Sequence, residues 1–162
     1  MASGITNKGK AWILETAFRK QMNGGSTSDT MYIALIKDDN VPNADDTTWN
    51  DLNGTEIAVN NGYVAGGIAL TRGTTDFDVV ISDADADTNN YGYIQLKNIE
   101  WTATGTFPAS GDGASYAILM DNAGGSLDAT ANKVIAWFDL GGERTLSNGQ
   151  KLSLQDLEIR LT

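Results

Sequence analysis

In the stretch VISDADADTNN, residues 80–90, Asp83, Asp85 and Asp87 alternate with alanine and Asn89 continues the spacing. Oxygen-bearing side chains at every second residue are what a calcium loop offers, because a hard cation gathers carboxylates and carbonyls. An EF-hand loop also needs glycine at its sixth position for the sharp turn and a bidentate glutamate at its twelfth. Counted from Asp83, those positions are Thr88 and Ile94. The pattern therefore predicts a solvent-facing acidic connection between two strands, with no metal bound.

Other reactive chemistry is scarce. The chain contains neither histidine nor cysteine, which removes the commonest general base, the thiolate nucleophile and any disulfide framework. A serine nucleophile would need a lysine or carboxylate as its base, and no local motif supplies one. Two carboxylates can cleave a glycoside, but the 21 acidic residues read as surface charge that keeps a β protein from associating edge to edge. No catalytic residue, cofactor or enzymatic activity is expected. Sugar binding would draw on Trp49, Tyr63, Tyr91, Tyr93, Trp101 and Tyr116 as stacking platforms. Trp101 and Trp137 occupy strand positions and are expected in the core, which leaves Trp49 as the aromatic expected to be exposed or to plug an interface.

The elements that must position these residues are mainly strands. Ala11, Leu14, Phe18 and Met22 recur at helical spacing, with Thr6 or Asn7 as cap and Asn23-Gly24-Gly25 as stop, so residues 6–22 are expected to form a helix. Its apolar stripe serves either its own core or a neighbouring subunit. From residue 30 onward TMYIALIK, FDVVIS, YIQLKNIEW, SYAILM, KVIAWFDL and KLSLQDLEIRL read as strands. Two of these change phase midway, which predicts a bulge or a crossing between sheets near Lys97-Asn98 and near Gln155-Asp156. Asn61-Gly62 and Asn148-Gly149 predict type I′ hairpin turns, and Gly66-Gly67, Gly124-Gly125 and Gly141-Gly142 predict bends or close backbone approaches. The polar, acidic segment 37–56 has no strand period and is expected to be a surface loop. The expected architecture is an antiparallel β-sandwich of jelly-roll or Greek-key type, mainly β. Residues 1–25 form a helix and cap, and 26–162 a single sandwich domain.

Charge separates the same two parts. Residues 1–22 carry a net +3 from Lys8, Lys10, Arg19, Lys20 and Glu15, and the remaining 140 carry −13. An acidic protein does not suit the phosphate backbone of nucleic acid. No apolar run approaches the roughly 20 residues of a bilayer span, and the N-terminus lacks the apolar core of a signal peptide, so synthesis in the cytoplasm is expected. Lys8, Lys10, Arg19 and Lys20, together with Trp49, are the candidate partner-binding residues.

Several pieces, in order along nearly the whole chain, resemble small virion proteins of tailed bacteriophages. They are an N-terminal helix, TSDTMYIALIKDDNVPNADDTTWNDLNGTEI, NGYVAGGIALT, EWTATGTFPASGDGASYAILMDN and VIAWFDLGGERTLSNGQKLSLQ. GYVAGG and DLGG…LSNGQ are the most distinctive. The resemblance implies a β-sandwich on the outer capsid surface, a decoration or cement protein that bridges major capsid protein subunits. It further implies a homo-oligomer, a trimer being favoured, and no catalytic residues. The alternative it leaves open is a tail or fibre module that binds a cell-surface glycan.

Overall fold

The computed structural model describes residues 4–19, 30–80, 83–121, 130 and 132–162, with the backbone alone for 79, 80, 83 and 84. In chain order the elements are α1 (Asn7–Phe18), β1 (Thr30–Ile36), α2 (Trp49–Leu52), β2 (Ile68–Thr71), β3 (Phe77–Val80), α3 (Asp83–Asn89), β4 (Gly92–Leu96), β5 (Ile99–Thr102), β6 (Ala114–Met120), β7 (Val134–Arg144), β8 (Lys151–Leu154) and β9 (Glu158–Leu161). The protein is mainly β, with antiparallel sheets and an N-terminal helix. The strand orders are β2-β1-β6-β7, β3-β4-β9 and β5-β8.

Both predicted phase slips are crossings between sheets. β4 pairs with β3 and β9, and after Lys97 and Asn98 the chain continues as β5, whose partner is β8. β8 in turn gives way to β9 through Asp156, which takes a left-handed φ of 55°. These crossings lie beside two of the boundaries between compact units, those after Ile99 and after Ser153. One unit holds α1, β3, α3, β4 and β9. The other holds β1, α2, β6, β7 and all but one terminal residue each of β2, β5 and β8.

In the first unit α1 packs against β4 and α3. Its start is capped as expected, Thr6 Oγ1 accepting from the Gly9 N–H at 3.1 Å. Ala11, Leu14 and Phe18 face inward, and the Phe18 ring lies 5.1 Å from that of Phe77. Helix and sheet approach closely enough that a β-carbon on Gly92 would stand 2.6 Å from the Ala11 nitrogen. Only glycine fits there. Met22 and the Asn23-Gly24-Gly25 stop lie outside the described residues, as does Gly124-Gly125.

In the second unit β1 and β6 are central and buried on both faces, which is why TMYIALI and ASYAILM read as nearly continuous apolar runs. The Asn61-Gly62 turn is the expected type I′: φ is 52° and 101°, and Asn60 and Tyr63 exchange backbone hydrogen bonds of 3.0 and 3.1 Å. Gly67 backs onto β1 so tightly that a β-carbon would sit 1.9 Å from the Ile33 carbonyl oxygen. Asn148-Gly149 corrects the second hairpin. Gly149 has φ 81° while Asn148 keeps a negative φ, the pattern of a type II turn, and β8 pairs with β5 rather than with β7. Gly141 and Gly142, at φ 72° and 116°, lie in a wide irregularity of β7 between Asp139 and Arg144.

Candidate functional site

The acidic repeat does not form a loop. Asp83–Asn89 is the helix α3, ended by Asn90 in the left-handed conformation at φ 61°. Ala86 is fully buried against Ala11, with Tyr91 and Tyr93 packed on the pair. Asp85 and Asp87 are exposed. Residues two apart on a helix point in different directions, so a spacing that would converge in an extended loop is spread around the axis. Asp87 lies 3.5 Å from Lys8 Nζ, and Asn89 Nδ2 donates to the Asp85 carbonyl at 2.8 Å. Among the described residues, no three acidic side chains gather as a cation cage. Period-two spacing suits extended chain, but alanine's helix propensity and aspartate's preference for a helix start favour a short helix.

Two carboxylates, Glu56 half-buried and Asp76 buried, hold backbone in place. Glu56 Oε1 accepts from the Tyr63 hydroxyl at 2.7 Å and from the Gly66 N–H at 2.6 Å, while the Tyr63 oxygen accepts from the Leu35 N–H at 3.0 Å. Burial pushes the Glu56 carboxyl above the usual carboxylate range, against the lowering effect of those donors. Burial, with the Glu56 charge, likewise pushes Tyr63 far above its ordinary value. Asp76 Oδ1 is ion-paired with Lys97, and its Oδ2 accepts from the Thr71 N–H at 2.6 Å. These groups lock turns onto strands.

The segment 37–56 is tied down rather than free. Lys37 N–H donates to the Thr55 carbonyl at 2.9 Å and Ile57 N–H to Leu35 at 3.1 Å, closing its base. Farther along, Trp49 N–H donates to Asn132 at 2.9 Å and Val134 N–H to Thr47 at 3.1 Å. The Asp51 carboxylate accepts from the Thr47 N–H, the Thr48 N–H and the Thr48 hydroxyl at 3.0, 2.9 and 3.1 Å, fixing the start of α2. The Thr48 hydrogen bonds, with that from Thr47, hold Asp51 below the usual carboxylate range. Trp49 is consequently 2 % exposed and packs with Ala34, Ile36, Leu52, Ile118 and Met120. As a partner-binding residue it is a correction: the indole belongs to this unit's own core.

The basic candidates are partly engaged within the chain. Lys8 makes the ion pair with Asp87, and Lys10 Nζ donates to Asn7 Oδ1 at 3.1 Å and to the Asn90 carbonyl at 3.4 Å. Arg19 closes α1 through its backbone N–H to Glu15. Lys20 lies outside the described residues. What the structure exposes instead is apolar: Ile5, Trp12 at 60 % and Ile13 on the first unit, and Ile135 and Trp137 at 42 % on the second. Trp137 was expected in the core. It pairs with Ile118, which lies in the cluster containing Trp49 and Leu52, but β7 is the outermost strand of its sheet and the α2 cap does not cover it.

Of the six aromatics suited to sugar stacking, Trp49, Tyr63 and Trp101 are buried. Tyr116 packs on the α2 cluster, and Arg160 covers one face of Tyr91 at 5.0 Å. Among the described residues no helix is long and apolar enough to cross a membrane. Compared with protein-family models, with curated proteins and with solved structures, the chain matches none. The geometry assembles no reactive constellation among the described residues. It presents apolar side chains, two of them tryptophans, on ordered elements.

Proposed function

We propose that this chain is a non-enzymatic structural protein of a tailed-bacteriophage virion, a decoration protein that sits on the outer capsid and bridges major capsid protein subunits. The observation that carries the reading is the pair Ile135 and Trp137 on the outer strand β7. A large aromatic held half-exposed on a rigid sheet edge is costly to leave in water and is the residue type that anchors protein interfaces. The net charge of −10 keeps a protein needed in many copies from self-aggregating before it docks. The order of sequence pieces, which resembles that of small phage virion proteins, is what points to the particle.

The test is co-sedimentation with capsids that lack the protein, followed by locating it in a reconstruction of the decorated particle. Saturable binding at capsid-subunit junctions is expected, together with a blank glycan array. Failure to bind capsids, or a specific glycan signal, would favour the tail or fibre module.

A further inference from the structure

Helix α1 has two apolar faces. Ala11, Leu14 and Phe18 are buried in the first unit. On the opposite side Trp12 is 60 % exposed, Ile13 36 % and Ile5 59 %. Ile5 belongs to this second face, because its Cγ2 lies only 3.1 Å from where a β-carbon on Gly9 would stand, and Gly9 precedes Trp12 and Ile13 by one turn. Lys8 lies one turn before Trp12 and Arg19 two turns after it, on the same side. The Lys8–Asp87 ion pair is 3.5 Å long with both side chains more than half exposed, so it is weak and leaves the lysine free to turn outward. The result is an apolar patch whose rim carries Lys8 and Arg19, with Glu15 between Trp12 and Arg19 as its acidic member.

The second unit carries the complementary surface. Between residues 38 and 46 the chain presents Val41 at 61 % exposure, with Asp38, Asp39 and Asp45 exposed along the same segment and Asp39 ion-paired with Lys37 at 2.7 Å. This segment is preorganised: Asp46 Oδ2 accepts from the Asn43 N–H at 2.8 Å and from Asn43 Nδ2 at 3.0 Å, and Asn43 Oδ1 accepts from the Asp45 N–H at 2.8 Å. It is an apolar side chain with an acidic rim, the inverse of the helix face.

We propose that the outward face of α1 docks a second copy of this chain, meeting the acidic 38–46 segment of that copy. Opposite rims orient the encounter, and Trp12 and Val41 supply the desolvated centre. Because the two surfaces differ, the contact joins α1 of one copy to the 38–46 segment of another, a pairing that a reciprocal dimer, a ring and a filament can each be built from. This contact does not rest on the virion reading and uses none of the β7 residues assigned to the capsid.

Sedimentation equilibrium of the purified chain tests it without any particle. The average mass of the wild type is expected to rise with protein concentration and to fall with added salt. Trp12→Ala, whose exposed side chain leaves folding intact, should weaken association by about tenfold or more. Lys8→Glu/Arg19→Glu and Asp38→Lys/Asp45→Lys, each checked for an unchanged circular dichroism spectrum, should each fail to associate alone and should associate when mixed. A wild type that stays monomeric, a Trp12→Ala chain that associates like the wild type, or a mixture that does not recover association overturns the contact. None of these results bears on capsid docking through β7.

Discussion

Residues 37–56 and strand β7 belong to the same compact unit, and each carries one tryptophan, yet Trp49 is 2 % exposed and Trp137 42 %. The first lies in a polar excursion without strand period and the second in an apolar strand. The difference comes from how many neighbours the backbone obtains. The excursion is hydrogen-bonded at its base, at its middle to Asn132 and Val134, and internally through Asp51, so Trp49 and Leu52 are pressed onto the β1–β6 face. β7 is paired along one edge, and among the described residues its outer edge has no neighbour beyond Thr48 opposite Lys133. Hydrophobicity sets what a residue gains from burial; the number of elements stacked around it sets whether burial happens.

The comparison breaks most visibly through its two tryptophans. Trp49→Ala should cost about 3–5 kcal/mol through lost burial and a cavity, lowering the melting temperature by more than about 10 °C. Trp137→Ala should cost under about 1 kcal/mol. Denaturant unfolding of both variants checks this, and equal losses would mean that the two sites are not different in kind.

A smaller effect is expected where the excursion ends. Glu56→Ala strands the Tyr63 hydroxyl and the Gly66 N–H, at about 1–3 kcal/mol, whereas Glu56→Gln keeps an acceptor oxygen for both. Because burial raises the Glu56 carboxyl above its unfolded value, its favourable contribution is complete below the unfolded value and is lost as pH rises through the folded one. The Gln variant should therefore gain on the wild type as pH rises above about 4, the ordinary carboxylate range. Denaturation midpoints across that rise read it out.

Asp51 should give the smallest effect and the opposite sign with pH. Its carboxyl is held low by the Thr48 and Thr47 donors, so its contribution is present above the unfolded value and fades as pH falls through the depressed folded value. The wild type's lead over Asp51→Ala should shrink below about pH 4, with Trp49 fluorescence as the local probe.

Much of the scaffold was legible in the residues. The α1 core stripe, its Thr6 cap, the type I′ turn at Asn61-Gly62 and both sheet crossings follow from local rules of period, capping and φ. What was not legible depends on tertiary neighbours. Alternating Asp and Ala carries no preference strong enough to separate a short helix from a loop until Ala86 finds Ala11. Trp49 and Trp137 changed places because strand order, which sequence does not display, decides which strand lies at the edge. The second apolar face of α1 is present in Ile5, Trp12 and Ile13, but a single buried stripe is enough to account for a helix, and exposure of the other face depends on what packs around it.

The capsid reading rests on β7, and the direct measurement is the affinity of Ile135→Ser/Trp137→Ala for undecorated capsids, compared with the wild type at matched folding. A loss of about a hundredfold or more with a nearly unchanged melting temperature is the predicted result. Undiminished decoration by the double variant would contradict it and would remove β7 as the docking strand.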